Sequence, residues 1–347
     1  MNQTTASSIL IYGDSGVGKS SQLPNFARFV LERTGRKTRM VSVEASGAKR
    51  VASAIDAGLI IPFWLTHNPR SALPKLIRGE WPVAVNDAGS PVADASQATK
   101  LRYLPTPPAE WDEIGAYAFE GTASMAELIV DCLRREGRKI QQDVVGLYQE
   151  DGENLGAAAP SHHGAAQQDI GYLLNEAPRG LFAASKGKVL YVLFTGHEAK
   201  GVDKDTQAGS TGTVYGVGTT GTAFVGKIPK KVGTLLHFVK DSKARKIWVY
   251  FDDHPDEENQ FKIWKAKADL PAHPGVMAAL EKKWPGGRFE LTLGNAKNPV
   301  QTLYDYMVFQ EGAEKFMAEQ TRELMEKVQA SRDNAGAIPI NVKGATK

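Results

Sequence analysis

Eight residues near the start of the chain, Gly13-Asp14-Ser15-Gly16-Val17-Gly18-Lys19-Ser20, constrain its fold more than any others. They fit the pattern G-x-x-x-x-G-K-[ST], in which glycines let backbone N–H groups turn inward toward phosphate oxygens. The helix that starts at such a loop presents its positive dipole end to the same anion, so the pattern needs a strand before it and a helix after it. Both flanks are legible. Ile9-Leu10-Ile11-Tyr12 is a short apolar run that reads as a buried strand. Beyond Ser20, Leu23, Phe26, Phe29, Val30 and Leu31 recur near helical spacing, and Gly35 closes the segment as a C-cap. Pro24 is expected to kink this helix in its second turn. The implied ligand is a nucleoside triphosphate, ATP, with Mg²⁺. Residues Gly13 to Ser20 would cradle the phosphates, Lys19 would reach the β- and γ-phosphates, and the Ser20 hydroxyl would ligate the metal.

Bulk composition narrows the class only a little. A chain of 347 residues makes one large domain or two small ones, and 42% hydrophobic with 23% charged residues is ordinary for a water-soluble globular protein. The net charge of +3 permits nucleic-acid binding without arguing for it. Cys132 is the only cysteine, which excludes an intrachain disulfide and a cysteine-based zinc site and fits a reducing compartment. No signal-peptide pattern and no run long enough to span a bilayer is visible, so the expectation is a cytoplasmic protein with no membrane partner, in the host cytoplasm if the source is viral.

Strand and helix signals alternate through the first two-thirds. Met40-Val41-Ser42-Val43 reads as a second strand ending in Glu44, followed by a short helix over Lys49 to Ala57. Residues 62–110, rich in Pro, Ala and Asp, read as an irregular insertion and a candidate lid. Ile114 to Phe119 reads as a third strand ending in Glu120. Met125, Leu128, Ile129 and Leu133 then share one face of a helix. Residues 141–168 read as a loop and Ile170 to Ala184 as a helix. Lys188 to Phe194 is the clearest strand, running into Thr195-Gly196-His197-Glu198 and a Gly/Thr-rich loop over 199–222. Leu235 to Val239, Lys246 to Phe251 and Phe261 to Lys265 read as late antiparallel strands, and Gly312 to Ala330 as an amphipathic helix. The class expected is α/β: a mainly parallel central sheet flanked by helices, with late antiparallel strands and a C-terminal helix.

Taken in order, these landmarks resemble the RecA-like P-loop ATPase core, in particular phage-type ATPases linked to single-strand annealing and recombination. The resemblance spans roughly Ile9 to Pro271. It implies that Glu44, after the second strand, activates the attacking water. It implies that Glu120, where the family usually has Asp, holds the Mg²⁺ shell. The alternative stays open that Glu120 is the base and Glu44 structural. The polar sensor of the γ-phosphate would be His197, with Thr195 as the fallback. The segments 141–168 and 199–222 match the two mobile loops that bind single-stranded DNA in recombinases, with Lys200, Lys204 and Tyr215 available to phosphates and a base. Lys265-Ala266-Lys267 matches the lysine pair that reaches the neighbouring subunit's γ-phosphate in RecA-like filaments, which would make the active form a homo-oligomer, filament or ring. The first strand begins near Ser8, so no polymerisation segment of the recombinase kind is seen before it. His237, His254 and His273 read as structural or surface residues.

The domain division expected is an ATPase core over 1–275, an extension over 276–331 carrying the amphipathic helix, and a flexible tail over 332–347. The reading is an Mg²⁺-dependent ATPase acting on single-stranded DNA in recombination, annealing or replication. Two alternatives stand beside it. One is a P-loop motor with another cargo, such as a helicase loader or a DNA-packaging or translocation ATPase. The other is a nucleotide-binding switch or assembly protein with little hydrolysis.

Overall fold

The computed structural model describes residues 4–44, 48–66, 68–92, 100–145, 160–202, 213–217, 225–241, 243–244, 246–255, 263–291 and 302–335; for 136–145, 160, 199–202, 213–217, 225–226 and 331–335 only the backbone is described. In chain order, β1 (Ser7–Gly13) leads through the glycine-rich loop and a single 3-10 turn into α1 (Leu23–Thr34). Next come β2 (Lys37–Ser42), α2 (Ala48–Asp56), β3 (Ile60–Trp64), α3 (Pro69–Ile77), β4 (Glu80–Val85) and β5 (Lys100–Pro105). They are followed by β6 (Ile114–Glu120), α4 (Thr122–Val145), α5 (Pro160–Ala184), β7 (Tyr191–Val202) and β8 (Thr213–Val217). The last third holds β9 (Thr234–Asp241), β10 (Lys246–Tyr250), β11 (Asp252–Pro255), β12 (Ile263–Lys267), α6 (Pro274–Lys283), β13 (Arg288–Leu291) and α7 (Leu303–Ala335).

The main sheet is mixed and mostly parallel at its centre. β3, β2, β6, β7, β1 and β9 lie side by side in that order, every neighbour parallel. β10 and β13 add antiparallel strands beyond β9. The far half of β7 pairs with β8, and β12 pairs with β8, β9 and β11. Because successive side chains point to opposite faces, Leu10 and Tyr12 of β1 enter one apolar layer and Ile9 and Ile11 the other. The first layer packs under α3, α4 and α5, the second under α1, α2, α6 and α7. This is the three-layer arrangement that parallel strands buried on both faces demand. Its parallel strands end together on one edge, where ligands of open α/β sheets bind.

Several expectations are corrected here. Pro24 lies in the first turn of α1, where a missing N–H costs nothing, so it kinks nothing. Residues 62–110 are largely regular: the end of β3, helix α3, and an antiparallel hairpin of β4 and β5. Three of their prolines sit where proline is tolerated, while Pro74 lies inside α3. Pro69 occupies the first turn of α3 beside the Asn68 cap, Pro62 an edge strand, and Pro82 a two-stranded ribbon. Arg39 of β2 ties this segment down. It is fully buried, donates to Thr106 and Tyr117, pairs with Glu110, and lies 4.4 Å from the Trp81 ring centre.

The stretch 141–168 is helical wherever it is described, in α4 to Val145 and in α5 from Pro160. Its Ala and Gly content reads as loop, yet Ala166, Ile170, Leu173, Ala177 and Leu181 recur at helical spacing and are all buried. The core of that expectation, 146–159, lies outside the described residues. Likewise, Thr195 to Glu198 do not end a strand. β7 continues to Val202 and pairs with β8, so 199–222 holds a strand pair, with 203–212 and 218–224 outside the described residues. α7 starts nine residues earlier than expected, at Leu303 rather than Gly312. β13 and the first turns of α7 join the same apolar layer as α1, through Leu291, Leu303, Tyr306 and Met307. The sheet and its core therefore continue past residue 275. The tail from 336 lies outside the described residues.

Candidate functional site

A cleft opens at the carboxyl edge of the parallel strands. The loop after β1 forms its floor. Gly16 and Gly18 both hold positive φ, 81° and 84°, a conformation that costs other residues energy. Lys19 is buried, and its ammonium donates to the Gly13 and Asp14 carbonyls at 2.8 and 2.7 Å. Burial is the main influence on this lysine and lowers its pKa, while Glu44, Asp14 and Glu198 pull the other way. A phosphate would return the counter-charge that burial took from it.

The neighbouring strands bring carboxylates to the same edge. Register sets Ser42 of β2 opposite Glu120 of β6, and His197 of β7 opposite Gly13. Glu44 lines the cleft two residues beyond β2. Its Oε1 accepts from the Ser124 hydroxyl at 2.8 Å and lies 3.8 Å from His197 Nε2. The His197 contact is the largest influence holding the Glu44 carboxyl below its ordinary range. Burial opposes it, and Ser124 and the Lys19 charge support it. Glu44 is thus ionised at neutral pH and open to the cleft.

Glu120 is in the opposite situation. It is 1% exposed, and neither carboxylate oxygen has a hydrogen-bond partner. Burial raises its pKa. The nearby Ser20 and Ser42 hydroxyls moderate this. An unpartnered buried carboxylate beside the serine of the loop is an all-oxygen donor set, which suits a hard cation such as Mg²⁺ that keeps several waters. Ser20 and Glu120 are the residues that fit such an ion.

Thr195 is buried and holds two chain segments together. Its Oγ1 accepts from Gly121 N and its carbonyl from the Thr122 hydroxyl, both at 2.9 Å. This fixes the turn that leads from Glu120 into α4. Gly121 in that turn has φ 78°, and a Cβ there would sit 2.6 Å from Glu44 Oε1. Gly121→Ala is therefore expected to displace Glu44 and to cost about 1–2 kcal/mol for the left-handed conformation alone. Thermal unfolding and nucleotide turnover should both fall. A variant with wild-type turnover would show that the position of Glu44 is immaterial.

Of the sequence-predicted residues, the structure gathers the loop, Glu44, Thr195 and His197 on one cleft, with Glu120 buried behind Ser20. Lys265 and Lys267 do not line it. Lys265 pairs with Asp253 of β11 at 2.8 Å, and Lys267 is half-buried, with burial lowering its pKa. Of the DNA-loop residues Lys200, Lys204 and Tyr215, no side chain is described. Sequence reading missed Arg50, an exposed residue of α2 that lines the cleft and makes no ion pair among the described residues. Its signal was the basic pair Lys49-Arg50 just after Glu44, which reads as an ordinary solvated helix face. It also missed Ser124, which orients Glu44. No helix among the described residues is long and apolar enough to cross a membrane.

No protein-family model matches the chain, and no curated protein matches it. Among solved structures it is similar to a KaiC-like protein from the hyperthermophilic archaeon Pyrococcus horikoshii OT3. That match has 11% identity, covers 70% of this chain and 77% of the other, and has a TM-score of 0.31.

Proposed function

We propose that this chain is an Mg²⁺-dependent ATPase of RecA-like architecture that works as a homo-oligomer on single-stranded DNA in recombination, annealing or replication. One observation carries the nucleotide part: a buried lysine in a phosphate-cradling loop shares a cleft with one ionised carboxylate, while a second, unpartnered carboxylate is buried behind the loop serine. Lys19 and the loop amides bind the triphosphate. Ser20 and Glu120 would hold Mg²⁺, which when bound would neutralise phosphate charge. Glu44 orients and deprotonates the water for in-line attack, and His197 keeps Glu44 charged and senses the γ-phosphate. Arg50 adds a positive charge on the α2 side of the cleft, where transition-state charge develops.

The oligomer and the DNA rest on the resemblance of the landmark order. Lys265 and Lys267 would complete a neighbour's cleft, and the β7–β8 region would meet the DNA. The test is ATP turnover by the whole chain, with and without single-stranded DNA, over a range of protein concentrations. Turnover that rises more than linearly with protein and is stimulated by DNA supports the reading. Lys265→Ala should bind ATP normally and turn over at least about 10³-fold more slowly, the share an inserted cation supplies. Mixing it with Glu44→Gln should restore part of the activity, because each variant supplies what the other lacks. No recovery on mixing would place Lys265 outside the neighbour's site. Turnover without any effect of DNA would favour a motor with another cargo, and binding without turnover a nucleotide switch.

A further inference from the structure

A second cluster of titratable groups lies beside the cleft. Its centre is His237 of β9, 1% exposed. His237 Nε2 is 3.2 Å from Glu198 Oε2, and its Nδ1 is 2.9 Å from His254 Nε2. His254 Nδ1 is in turn 3.2 Å from the Pro255 carbonyl. Glu198, His237, His254 and that carbonyl therefore form a row with three contacts.

With Glu198 ionised and each contact a hydrogen bond, counting protons gives the charge of the row. A carbonyl and an ionised carboxylate only accept. Each contact needs one proton between its heavy atoms, so His237 Nε2 and His254 Nδ1 must each carry one and the N–N contact a third. Two neutral imidazoles carry two between them. The pair therefore holds one proton in excess, and its positive charge balances Glu198. The surroundings suit a cation. The His237 ring stacks on Tyr12 at 4.5 Å and on Trp264 at 4.3 Å between centroids, and aromatic faces attract positive charge. Other groups facing the row are Tyr250, stacked on His254, Asp253 beside it, and Arg288, which donates to the Tyr250 hydroxyl at 2.7 Å. A second excess proton would set N–H against N–H. Burial first, and the His237 charge second, accordingly push His254 down to about 4.

The row also joins strands that matter. Tyr12, directly before the phosphate loop, donates its hydroxyl to the Lys265 carbonyl at 2.5 Å. Lys265 pairs with Asp253, the neighbour of His254. Glu198 directly follows His197, which faces Glu44. We propose that His237 is a positioning residue: with one excess proton shared along Glu198, His237 and His254, it locks β11 and β12, and with them Lys265, against the strand that carries the phosphate loop. Its effect on turnover rests on the ATPase reading; its charge and the lock do not.

The test uses the full chain labelled with ¹⁵N-histidine. At pH 7.5 one ring should show both nitrogens protonated, and that signal should vanish in His237→Asn. Glu198→Gln supplies an N–H to His237 Nε2 and should make the ring neutral, speed hydrogen exchange at the His254 and Lys265 amides, and lower kcat about tenfold or more with KM for ATP unchanged. Glu198→Asp should restore the doubly protonated ring and part of kcat. Two neutral rings in the wild type, or unchanged exchange and kcat when the charge is lost, would overturn the proposal. A wild type that neither binds nor hydrolyses ATP would overturn the ATPase reading, and the ¹⁵N and exchange results would still decide the lock.

Discussion

Lys19→Ala is expected to weaken ATP binding by roughly 100-fold or more while leaving the fold intact. The ammonium is the buried positive charge at the loop, and its present partners, the Gly13 and Asp14 carbonyls, are uncharged acceptors that a phosphate can replace. Charge-assisted contacts contribute about 1.5–3 kcal/mol each, and about 1.4 kcal/mol is tenfold in affinity, so losing two of them gives the expected loss. Stability moves little, because the change removes a desolvated charge along with the two hydrogen bonds it makes. Titration calorimetry with ATP and Mg²⁺ reads the first effect and a ligand-free melting curve the second. Affinity within twofold of wild type would mean that the loop does not hold the phosphates. Collapse of the melting transition would mean that Lys19 is a structural residue first.

The loop could be read from sequence because its chemistry is local. Glycines, lysine and serine act within eight consecutive residues, and the strand and helix around them carry their own periodicity. The strand-end positions of Glu44 and Glu120 were legible for a similar reason: each follows an apolar run that alternation alone identifies. What separates the two carboxylates is not local. Glu44 owes its lowered pKa to His197 and Ser124, 153 and 80 residues away, and Glu120 its burial to the strands on either side. Neither environment exists until the sheet is assembled.

The misread segments share a cause. Prolines and alanines in 62–110 count against regular structure one at a time, but Pro69 sits at a helix start, Pro62 in an edge strand and Pro82 in a two-stranded ribbon, and α3 continues through Pro74. A buried arginine, Arg39, supplies an anchor that composition assigns to the surface. In the same way the Gly- and Thr-rich stretch after Glu198 looks like a loop because its strand partner, β8, lies more than ten residues ahead. His237 looked like a surface or structural histidine. Its role depends on Glu198 and His254, which only the pairing of β9 with β1 and β10, and the crossing of β11, bring near it.

Glu44→Gln is expected to bind ATP as the wild type does and to lose turnover by about 10²–10⁴-fold, the usual contribution of a positioned general base. Glutamine keeps an acceptor for Ser124 but cannot take a proton. The pH dependence gives an independent check. His197 is the largest influence holding Glu44 below the ordinary carboxylate range, so wild-type turnover should persist on the acid side down to below that range. His197→Gln removes this support and raises the Glu44 pKa, so the acid limb should move to higher pH while binding persists. A kcat–pH series on both variants, with ATP affinity measured in parallel, reads the two effects. Full activity in Glu44→Gln, together with lost turnover and retained Mg²⁺ binding in Glu120→Gln, would reverse the roles of the two carboxylates. Burial speaks against that reversal, because Glu120 is desolvated and does not line the cleft, whereas Glu44 does.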